Sequence, residues 1–400
     1  MSNTAADWDA VTRLVHAGDS PAAREGLAVK GANPAVQRAS TVLLPDAAAL
    51  YAHGKHSYGR GGLGVQAALE SALSELEQAY AVKVLSSGAA AISSALMSVL
   101  QAGDEVLVAD GVYRPTRRCC DELLSRFGIT ARYFPSRASA DEVMALAGPA
   151  TRAVFLESPA SLSFEFQDVP AIAAAARTRG LITLIDNTWG AGLLFQPLEA
   201  GVDISIQALT KYVSGGSDVF MGSVATRDPR LSARVADTVQ TAGWSVSPDD
   251  CYSVLRGLRT LPFRMARHGA STLEIASWLE AQPEVAQVLC PALASSQDHA
   301  VWARDYSGIN GLFGLILKPG STPAIHAFLN ALHLFGLGFS WGGFESLAIA
   351  CDPQIQRTAK PWMATGPLIR LHVGLESPGD LIADLRAGLD AYGALCEEQA

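Results

Sequence analysis

The sequence LITLIDNTWGAGLLFQPLEAGVDISIQALTKYVSGGSD, residues 181–218, contains the two segments on which the fold of this chain depends. The apolar run Leu181–Ile185 is short enough to be a buried strand, and it ends on a carboxylate, Asp186. A second run of this kind, Ile204–Ala208, is followed closely by Lys211. Ligands bind in open α/β sheets at the carboxyl ends of the strands, so the pattern predicts an acid and an amine at one such edge.

An acid and an amine at one sheet edge are the two groups that a pyridoxal phosphate site requires. The lysine holds the aldehyde as a Schiff base, and the aspartate pairs with the pyridinium nitrogen. Taken alone, these residues leave a simpler interpretation open. Asp186-Asn187 can begin a turn or cap a helix, and a lysine at the end of a strand is commonly a solvated surface charge.

The composition limits the class of protein. A chain of 400 residues can bury a large core, and 49% hydrophobic with 17% charged residues excludes a disordered or fibrous chain. A formal net charge of −9 without any basic run argues against binding to nucleic acid. No apolar stretch is long enough for a membrane helix, and the polar N-terminus lacks the apolar core of a signal peptide. We therefore expect an acidic, soluble, cytoplasmic protein.

The cysteines and histidines give no indication of a metal site. The six cysteines are scattered without a Cys-x-x-Cys pair, and the adjacent Cys119 and Cys120 could form only a strained disulfide. Free thiols in a reducing compartment are therefore expected. His53 and His56 have a spacing that could bind a metal ion, but no Cys or carboxylate cluster accompanies them, so we predict solvated histidines.

Secondary-structure patterns divide the chain into three parts. Residues 1–60 carry Gly and Pro with only short apolar pieces, so they are expected to form an arm across another surface, such as a neighbouring subunit. Residues 61–258 alternate strand and helix patterns, which is typical of a large α/β domain with a mostly parallel sheet. Residues 259–400, starting with a helical segment at 263–282, are expected to form a smaller α+β C-terminal domain. The predicted strands are Ala81–Leu85, Val106–Ala109, Ala153–Leu156, Leu181–Ile185, Ile204–Ala208 and Ser223–Ala225, followed by 311–317 and 368–375.

Two loops are suited to binding a phosphate. Residues 86–91 join a predicted strand to a helix, and small residues there leave N–H groups open at the positive end of the helix dipole. An ordinary helix N-cap made by Ser86 or Ser87 is the alternative. Tyr58 and Arg60 offer a phenol and a guanidinium for phosphate oxygens. The alternative is that they belong to an ordinary exposed loop without a ligand.

Gly59–Gly64 matches the G-x-G-x-x-G pattern of dinucleotide-binding proteins letter for letter. That pattern indicates a nicotinamide site only when a hydrophobic strand precedes it. Residues 53–58 are His-Gly-Lys-His-Ser-Tyr and do not form such a strand. The sequence therefore argues against a nicotinamide oxidoreductase.

Two further side chains are placed to meet a ligand. Tyr113 follows the strand Val106–Ala109, where an aromatic ring can stack on a planar cofactor or cover the end of the core. Period-2 alternation in residues 368–373 puts Arg370 on the face opposite to the apolar side chains. A guanidinium in so apolar a strand needs a partner, either a substrate carboxylate or a structural salt bridge. Residues 340–347 form a glycine-broken aromatic loop of the kind that lines a pocket.

These motifs resemble the pyridoxal-phosphate enzymes of cysteine and methionine metabolism, and most closely the bacterial cystathionine β-lyases. The resemblance covers nearly the whole chain. It implies the pyridoxal-phosphate-dependent transferase-like fold, fold type I, with a mostly parallel sheet in a large domain and a smaller α+β C-terminal domain. The matching motifs are Tyr58–Arg60, Ser87–Ala91, Val154–Pro159, Ile185–Trp189, Ser205–Tyr212, Arg256–Leu261, Ser340–Gly343 and Leu368–His372.

The resemblance implies a role for each matching residue. Lys211 would hold the cofactor and act as acid and base at Cα, Asp186 would keep the pyridine nitrogen protonated, and Tyr113 would stack on the ring and take part in catalysis. The residues implied to bind the phosphate are Gly88, Ala89 and Thr210, together with Tyr58 and Arg60 from a neighbouring subunit. Those implied to bind the substrate are Arg370, Ser340 and Trp341. The active form would be at least a dimer, and members of the family are typically tetramers.

The activity implied is elimination of sulfur from Cβ of an amino-acid thioether. For L-cystathionine the products would be homocysteine, pyruvate and ammonia, a step of methionine biosynthesis. Ala208 and Gly61–Leu63 differ from many members of the family and point towards the β-lyase branch, as does Trp341. No aromatic residue occurs near Val239 before Trp244, which leaves the preferred thioether open.

The nearest alternatives share the same fold and cofactor. They are a cystathionine γ-lyase or γ-synthase, and a cysteine desulfhydrase. A non-catalytic binding protein on this fold would be expected to lack Lys211 or Asp186, and both are present.

Overall fold

Seven strands form the larger of two sheets in the computed structural model, which describes residues 8–18, 31–51 and 57–397. Their spatial order is β1-β7-β6-β5-β4-β2-β3, and neighbours are parallel except at β7, which runs antiparallel to β1 and β6. The predicted mostly parallel sheet is therefore confirmed. The strands are β1 Ala81–Leu85, β2 Glu105–Ala109, β3 Thr130–Phe134, β4 Thr151–Glu157, β5 Ile182–Asp186, β6 Ile204–Gln207 and β7 Gly222–Thr226.

The large sheet is an interior sheet. Every residue of β2, β6 and β7 is buried, which is why these strands, apart from Glu105 and Gln207 at strand ends, consist mainly of apolar or small residues instead of an alternating pattern. Side-chain caps fix where several helices begin, as where Asp168 accepts the N–H of Ala171. The helices in this part of the chain are Gly64–Leu76, Gly88–Val99, Arg114–Arg118, Ala140–Ala145, Val169–Thr178 and Pro229–Thr241.

A single long helix, Pro248–Glu280, follows the last strand of the large sheet. It begins well before the segment 263–282 in which a helix was predicted, because Ser247 caps it and Pro248 occupies its first turn, where a proline needs no hydrogen-bond partner. The predicted boundary between residues 258 and 259 falls inside this helix. The division into domains at that point stays a prediction.

The smaller sheet has the order β10-β11-β12-β9-β8. The two strands predicted here are confirmed as β9 and β12. The strands that the sequence did not reveal, β8, β10 and β11, and β3 in the large sheet, are short or lie at sheet edges, where half-exposed side chains give no continuous apolar run. The elements are β8 Val285–Leu289, β9 Leu312–Leu317, β10 Gly336–Leu337, β11 Leu347–Ala350 and β12 Leu368–His372, with helices His299–Asp305, Thr322–Ala331 and Pro378–Glu397.

The described part of the N-terminal arm packs on its own chain. The short helix Ala10–Val15 buries Leu14 and contacts the long helix. Arg38 forms an ion pair with Asp249, and Arg259 donates to the carbonyl of Ala17 at 3.1 Å. Contact of the arm with a neighbouring subunit stays a prediction. Among the helices that the structure describes, none combines the length and the apolar character needed to span a lipid bilayer.

Candidate active site

Lys211 lies in the turn that follows β6, where the chain reverses towards β7. Thr210 closes this turn, because its hydroxyl donates to the carbonyl of Met221 at 3.2 Å and accepts the N–H of Met221 at 3.0 Å. From the long helix, Arg264 donates to the carbonyl of Tyr212 at 2.6 Å. These contacts fix the backbone on both sides of the lysine.

The side chain of Lys211 extends towards the loop between β10 and β11. Its Nζ donates to Ser340 Oγ at 2.9 Å and lies 5.2 Å from the centre of the Trp341 ring. Burial, together with the positive charge of Arg370, lowers the pKa of the Lys211 amine to about 8, although the negative charge of Asp186 opposes this shift. An amine with this pKa can release and take up a proton near neutral pH.

Asp186 is the last residue of β5 and is buried. The N–H of Thr188 donates to its Oδ1 at 3.0 Å, and the hydroxyl of Thr188 donates to the same oxygen. Burial raises the pKa of Asp186, against the effect of these hydrogen bonds and of the Lys211 charge. The Thr188 hydroxyl also accepts the N–H of Ala208 at 2.8 Å, so it links the aspartate to the turn that carries Lys211.

A second carboxyl group, Glu157, ends the neighbouring strand β4 and is paired in register with Asp186. Its Oε2 accepts the backbone N–H of Tyr113 at 2.7 Å. Burial and the adjacent charge of Asp186 raise the pKa of Glu157 well above its ordinary value, which favours the protonated form. Glu157 therefore anchors the segment carrying Tyr113 to the edge of the sheet.

The phenol ring of Tyr113 is partly exposed at this edge. Burial raises the pKa of its hydroxyl, and so do the negative charges of Asp186 and Glu157, while the positive charge of Arg370 lowers it. These effects require the four groups to lie near one another. The position predicted for Tyr113, beyond the carboxyl end of β2, is the one found.

The segment 86–91 begins the helix Gly88–Val99. Ser87 caps this helix by accepting the N–H of Ala90 at 3.1 Å, whereas the N–H groups of Gly88 and Ala89 have no acceptor among the described residues. A Cβ atom at Gly88 would lie 2.6 Å from the Cβ of Ala208, so only glycine allows the helix to approach the turn before Lys211 so closely. The helix cap is therefore found, made by Ser87, and phosphate binding by the two open donors stays a prediction.

Arg370 occupies the middle of β12 and is 8% exposed. Its Nη2 donates to the carbonyls of Phe339 at 2.8 Å and Ser340 at 3.2 Å. It forms no ion pair within the residues covered by the structure, so the structural salt bridge left open by the sequence is not observed there. Burial lowers the pKa of the guanidinium, as expected for a cation that lacks a carboxylate partner.

The structure does not join every predicted residue to this site. Within the described ranges no contact connects Tyr58 or Arg60 with Lys211, Asp186 or Gly88. Arg60 instead donates to the carbonyl of Gln240 at 2.6 Å, and Tyr58 is 54% exposed. His53 and His56 lie outside the described residues, and among those described no group of three or more His, Cys, Asp or Glu could hold a metal ion.

Glu157, Thr188 and His372 also contribute to the site, although the sequence by itself indicates no role for them. Glu157 and Asp186 each end an apolar run in the sequence. This shared position at the end of a strand is the one sequence signal that could have placed Glu157 near Asp186. The functions of Thr188 and His372 depend on which backbone groups the fold brings to them. The spacing of residues along the sequence does not reveal these backbone partners.

Comparison with known proteins agrees with this geometry. The cystathionine β-lyase of Bordetella avium is 43% identical over 389 residues, covering 95% of this chain and 97% of that protein. The cystathionine β-lyase of Escherichia coli K12 is 39% identical over 395 residues, covering 96% and 98%. A crystal structure of cystathionine γ-synthase from Xanthomonas oryzae, in complex with aminoacrylate and cysteine, superposes with a TM-score of 0.89 at 30% identity, covering 97% and 99%.

Fold and site together define the class of the protein, an α/β enzyme of pyridoxal-phosphate fold type I. The family described as Cys/Met metabolism PLP-dependent enzyme matches residues 11–390. This chain belongs to that family, and the resemblance seen in the sequence is confirmed.

Proposed function

We propose that this protein is a carbon–sulfur β-lyase that cleaves L-cystathionine to homocysteine, pyruvate and ammonia. The names of the relatives from Bordetella avium and Escherichia coli support the reaction. The observation that carries the proposal is the position of the Lys211 amine, which contacts Ser340 beside the buried guanidinium of Arg370, a cation with no carboxylate partner among the described residues. One site then offers an acid–base group and a binding group for an amino-acid carboxylate.

The residues at the sheet edge fit pyridoxal phosphate. A buried carboxylate with a raised pKa, Asp186, suits a pyridinium N–H, and an amine with a lowered pKa, Lys211, suits an aldehyde. The open N–H groups of Gly88 and Ala89 at a helix N-terminus suit a phosphate. Tyr113 would stack on the ring. The hydroxyl of Thr210 would have to turn its one proton from the carbonyl of Met221 to a phosphate oxygen, while it still accepts the N–H of Met221.

Arg370 would bind the substrate and Lys211 would transfer its proton. The guanidinium of Arg370 would bind the α-carboxylate with the donors left free by the loop carbonyls, with Ser340 and Trp341 alongside. Lys211 Nζ would then take the proton from Cα. When bound, pyridoxal phosphate supplies the electron sink that makes this proton removable.

Loss of the Cα proton allows the Cβ–S bond to break. The electron pair from the Cα–H bond forms the Cα–Cβ double bond, and the sulfur leaves with the pair of the Cβ–S bond. The thiolate gains the proton that Lys211 took from Cα and departs as homocysteine, which returns the lysine to its neutral form. The three-carbon enamine product is hydrolysed by water to pyruvate and ammonia, which balances the reaction.

Several features of the proposal concern the whole assembly. Because Tyr58 and Arg60 do not reach Lys211 in one chain, we propose that they complete the phosphate site of a neighbouring subunit. The active form would be a homodimer with shared sites, assembled into a homotetramer. A cytoplasmic location and an organisation into arm, large domain and small domain with boundaries near residues 60 and 258 belong to the same proposal.

The second candidate function is that of a cystathionine γ-lyase or γ-synthase, which cleaves or replaces a substituent at Cγ on the same fold. The γ-synthase from Xanthomonas oryzae supports it through a shared fold and 30% identity. Its lower identity than that of the two β-lyases is why we rank it second. A desulfhydrase acting on cysteine is the other member of this group.

Product analysis would test the proposal. Purified protein reconstituted with pyridoxal phosphate would be given L-cystathionine, while pyruvate, 2-oxobutyrate, homocysteine and cysteine are quantified. Pyruvate with homocysteine is the expected result, whereas 2-oxobutyrate with cysteine would contradict the β-lyase assignment and favour the γ-lyase. Lys211→Ala should abolish turnover in a protein that remains folded, and retained activity in that variant would overturn the site.

A further inference from the structure

His372 connects the substrate-binding strand to the loop that faces Lys211. It lies two residues after Arg370 on β12, and therefore on the same face of the strand. The imidazole is fully buried. Its Nε2 lies 2.8 Å from the N–H of Gly342, and its Nδ1 lies 3.1 Å from the carbonyl oxygen of Glu345.

The two contacts specify one protonation state. A backbone N–H can only donate, so the Nε2 that faces Gly342 carries no proton and accepts. A carbonyl oxygen can only accept, so the Nδ1 that faces Glu345 carries the proton and donates. Both bonds can be made only by the neutral imidazole protonated on Nδ1.

Arg370 and His372 together hold the loop along its length. Arg370 binds the carbonyls of residues 338–340, and His372 binds the backbone at 342 and 345. Gly342, which His372 anchors, adopts φ +86°, and a Cβ there would lie 2.9 Å from the carbonyl carbon of Lys211. The loop backbone at Gly342 therefore lies directly against the backbone of Lys211, and Trp341 and Ser340 are the two residues before it.

We propose that His372 is a positioning residue, which fixes Ser340 and Trp341 against Lys211 through the loop backbone. The link to substrate binding rests on the proposed function, because that function gives Ser340 and Trp341 their role. The anchoring of the loop is independent of it.

The groups around His372 favour its neutral form. Burial lowers its pKa well below the ordinary value, and the positive charges of Arg370 and Lys211 and the nearby His268 act in the same direction, while the Glu345 carbonyl opposes them. The rings of His268 and Tyr212 lie 5.5 and 5.9 Å from the imidazole.

Two substitutions separate the two hydrogen bonds. In His372→Gln the amide oxygen can reach the position of Nε2 and keep an acceptor for Gly342. In His372→Asn the amide group reaches only the position of Nδ1, so the acceptor is lost. His268→Asn is the matched control, because the described bond of this equally buried histidine is from Nδ1 to the carbonyl of Val373, and Asn retains that donor.

Hydrogen exchange of residues 338–345 in the cofactor-bound protein, without substrate, tests the anchoring directly. We expect His372→Asn to accelerate exchange of the Gly342 amide by about tenfold or more, and His372→Gln and His268→Asn to change it by less than about threefold. Pyridoxal phosphate absorbance and thermal melting would show that each variant is folded and loaded. Unchanged exchange in His372→Asn would overturn the inference.

Kinetics with L-cystathionine distinguish this inference from the proposed function. Faster loop exchange with KM raised about tenfold and kcat changed much less is the expected result for His372→Asn, and it supports both. Faster exchange with unchanged KM would uphold the anchoring and contradict the substrate role given to Ser340 and Trp341. Absence of lyase activity in the unmodified protein would contradict only the proposed function, since the exchange result stands without it.

Discussion

The Nζ of Lys211 lies 2.9 Å from the Oγ of Ser340, although the two residues belong to loops of different sheets, 129 positions apart in the chain. This contact brings a group from the smaller sheet to the amine at the edge of the larger sheet. The proposed site therefore exists only when both sheets are folded and packed.

Removal of the Ser340 hydroxyl should lower activity without loss of cofactor. A hydrogen bond to a charged amine contributes about 1.5–3 kcal/mol, so Ser340→Ala should reduce kcat/KM by about one to two orders of magnitude. Steady-state kinetics on L-cystathionine would measure this, with pyridoxal phosphate content determined by absorbance. Ser125→Ala removes a surface hydroxyl bonded to the Asp121 carbonyl and should leave both values unchanged. Full activity in Ser340→Ala would show that the contact does not orient the lysine.

Cofactor attachment should respond to pH through Lys211. Only the neutral amine attacks an aldehyde, and burial and Arg370 lower its pKa to about 8 from the 10.5 of an ordinary lysine. The initial rate of pyridoxal phosphate incorporation into the cofactor-free protein should therefore rise with pH around a midpoint near 8. Absorbance changes recorded between about pH 6 and pH 10 would give that midpoint.

The same experiment assigns the cause of the shift. In Arg370→Gln a nearby positive charge is lost, so the ammonium form of Lys211 is less disfavoured and the midpoint should move to higher pH. Arg118→Gln alters an exposed ion pair with Glu122 and serves as the control. An identical midpoint in Arg370→Gln and the unmodified protein would mean that Arg370 does not act on the lysine.

Ionisation of the buried Glu157 carboxyl group should lower the stability of the folded protein as pH rises. Its pKa in the folded protein is above that of the unfolded chain, so its protonated form contributes stability at low pH that is lost as pH increases through the folded pKa. Glu157→Gln keeps an acceptor for the Tyr113 N–H and cannot ionise. The variant should therefore gain stability over the unmodified cofactor-free protein on going from pH 5 to pH 8, by about 1.4 kcal/mol for each pH unit of this interval that lies below the folded pKa of Glu157.

Denaturant unfolding at the two pH values would measure the difference. Glu142→Gln is the matched control, since the hydrogen bonds that Glu142 accepts from Ser139 hold its pKa below the ordinary value. Glu142 is therefore ionised in both the folded and the unfolded chain over this interval, and its variant should show little change in stability relative to the unmodified protein between pH 5 and pH 8. A Glu157→Gln variant that behaves like Glu142→Gln would show that the pKa of Glu157 is not raised in the fold.

The sequence predicted those parts of the site that follow from strand ends. Asp186 and Lys211 each come after an apolar run, and the ends of parallel strands meet at one edge, so their proximity could be inferred without coordinates. The roles of Glu157 and His372 depend on strand register and on the path of a loop. Glu157 lies beside Asp186 because the register of β4 and β5 pairs these two residues. His372 anchors the loop because the N–H of Gly342 and the carbonyl of Glu345 approach its ring.

The strands that sequence analysis missed have a similar explanation. β3 and β8 lie at the edges of their sheets, and two of the five residues in each are exposed. Arg132 in β3 and Gln287 in β8 interrupt the apolar residues, so neither strand shows the continuous run that indicates a buried strand. β10 contains only Gly336-Leu337 and is defined by its partner β11. Such elements arise from the packing of their neighbours, which a single sequence does not display.

Shared sites can be tested by mixing two inactive variants. Arg60→Ala removes a phosphate ligand that we propose comes from the neighbouring subunit, and Lys211→Ala removes the lysine of the subunit's own site. In a mixed dimer one site carries both lesions and the other carries neither. Random association of equal amounts makes half of the dimers mixed, so about a quarter of all sites should be intact and about a quarter of the normal activity should return.

The control for this experiment is a pair of lesions in one subunit's own set of residues. Asp186→Ala and Lys211→Ala both affect groups that the structure places together in a single chain, linked through Thr188 and Ala208. Every site of their mixed dimer retains one lesion, so co-expression should restore nothing. If Arg60→Ala and Lys211→Ala also failed to complement while forming mixed dimers, Arg60 would belong to its own subunit's site, and its bond to the Gln240 carbonyl would have to break on cofactor binding.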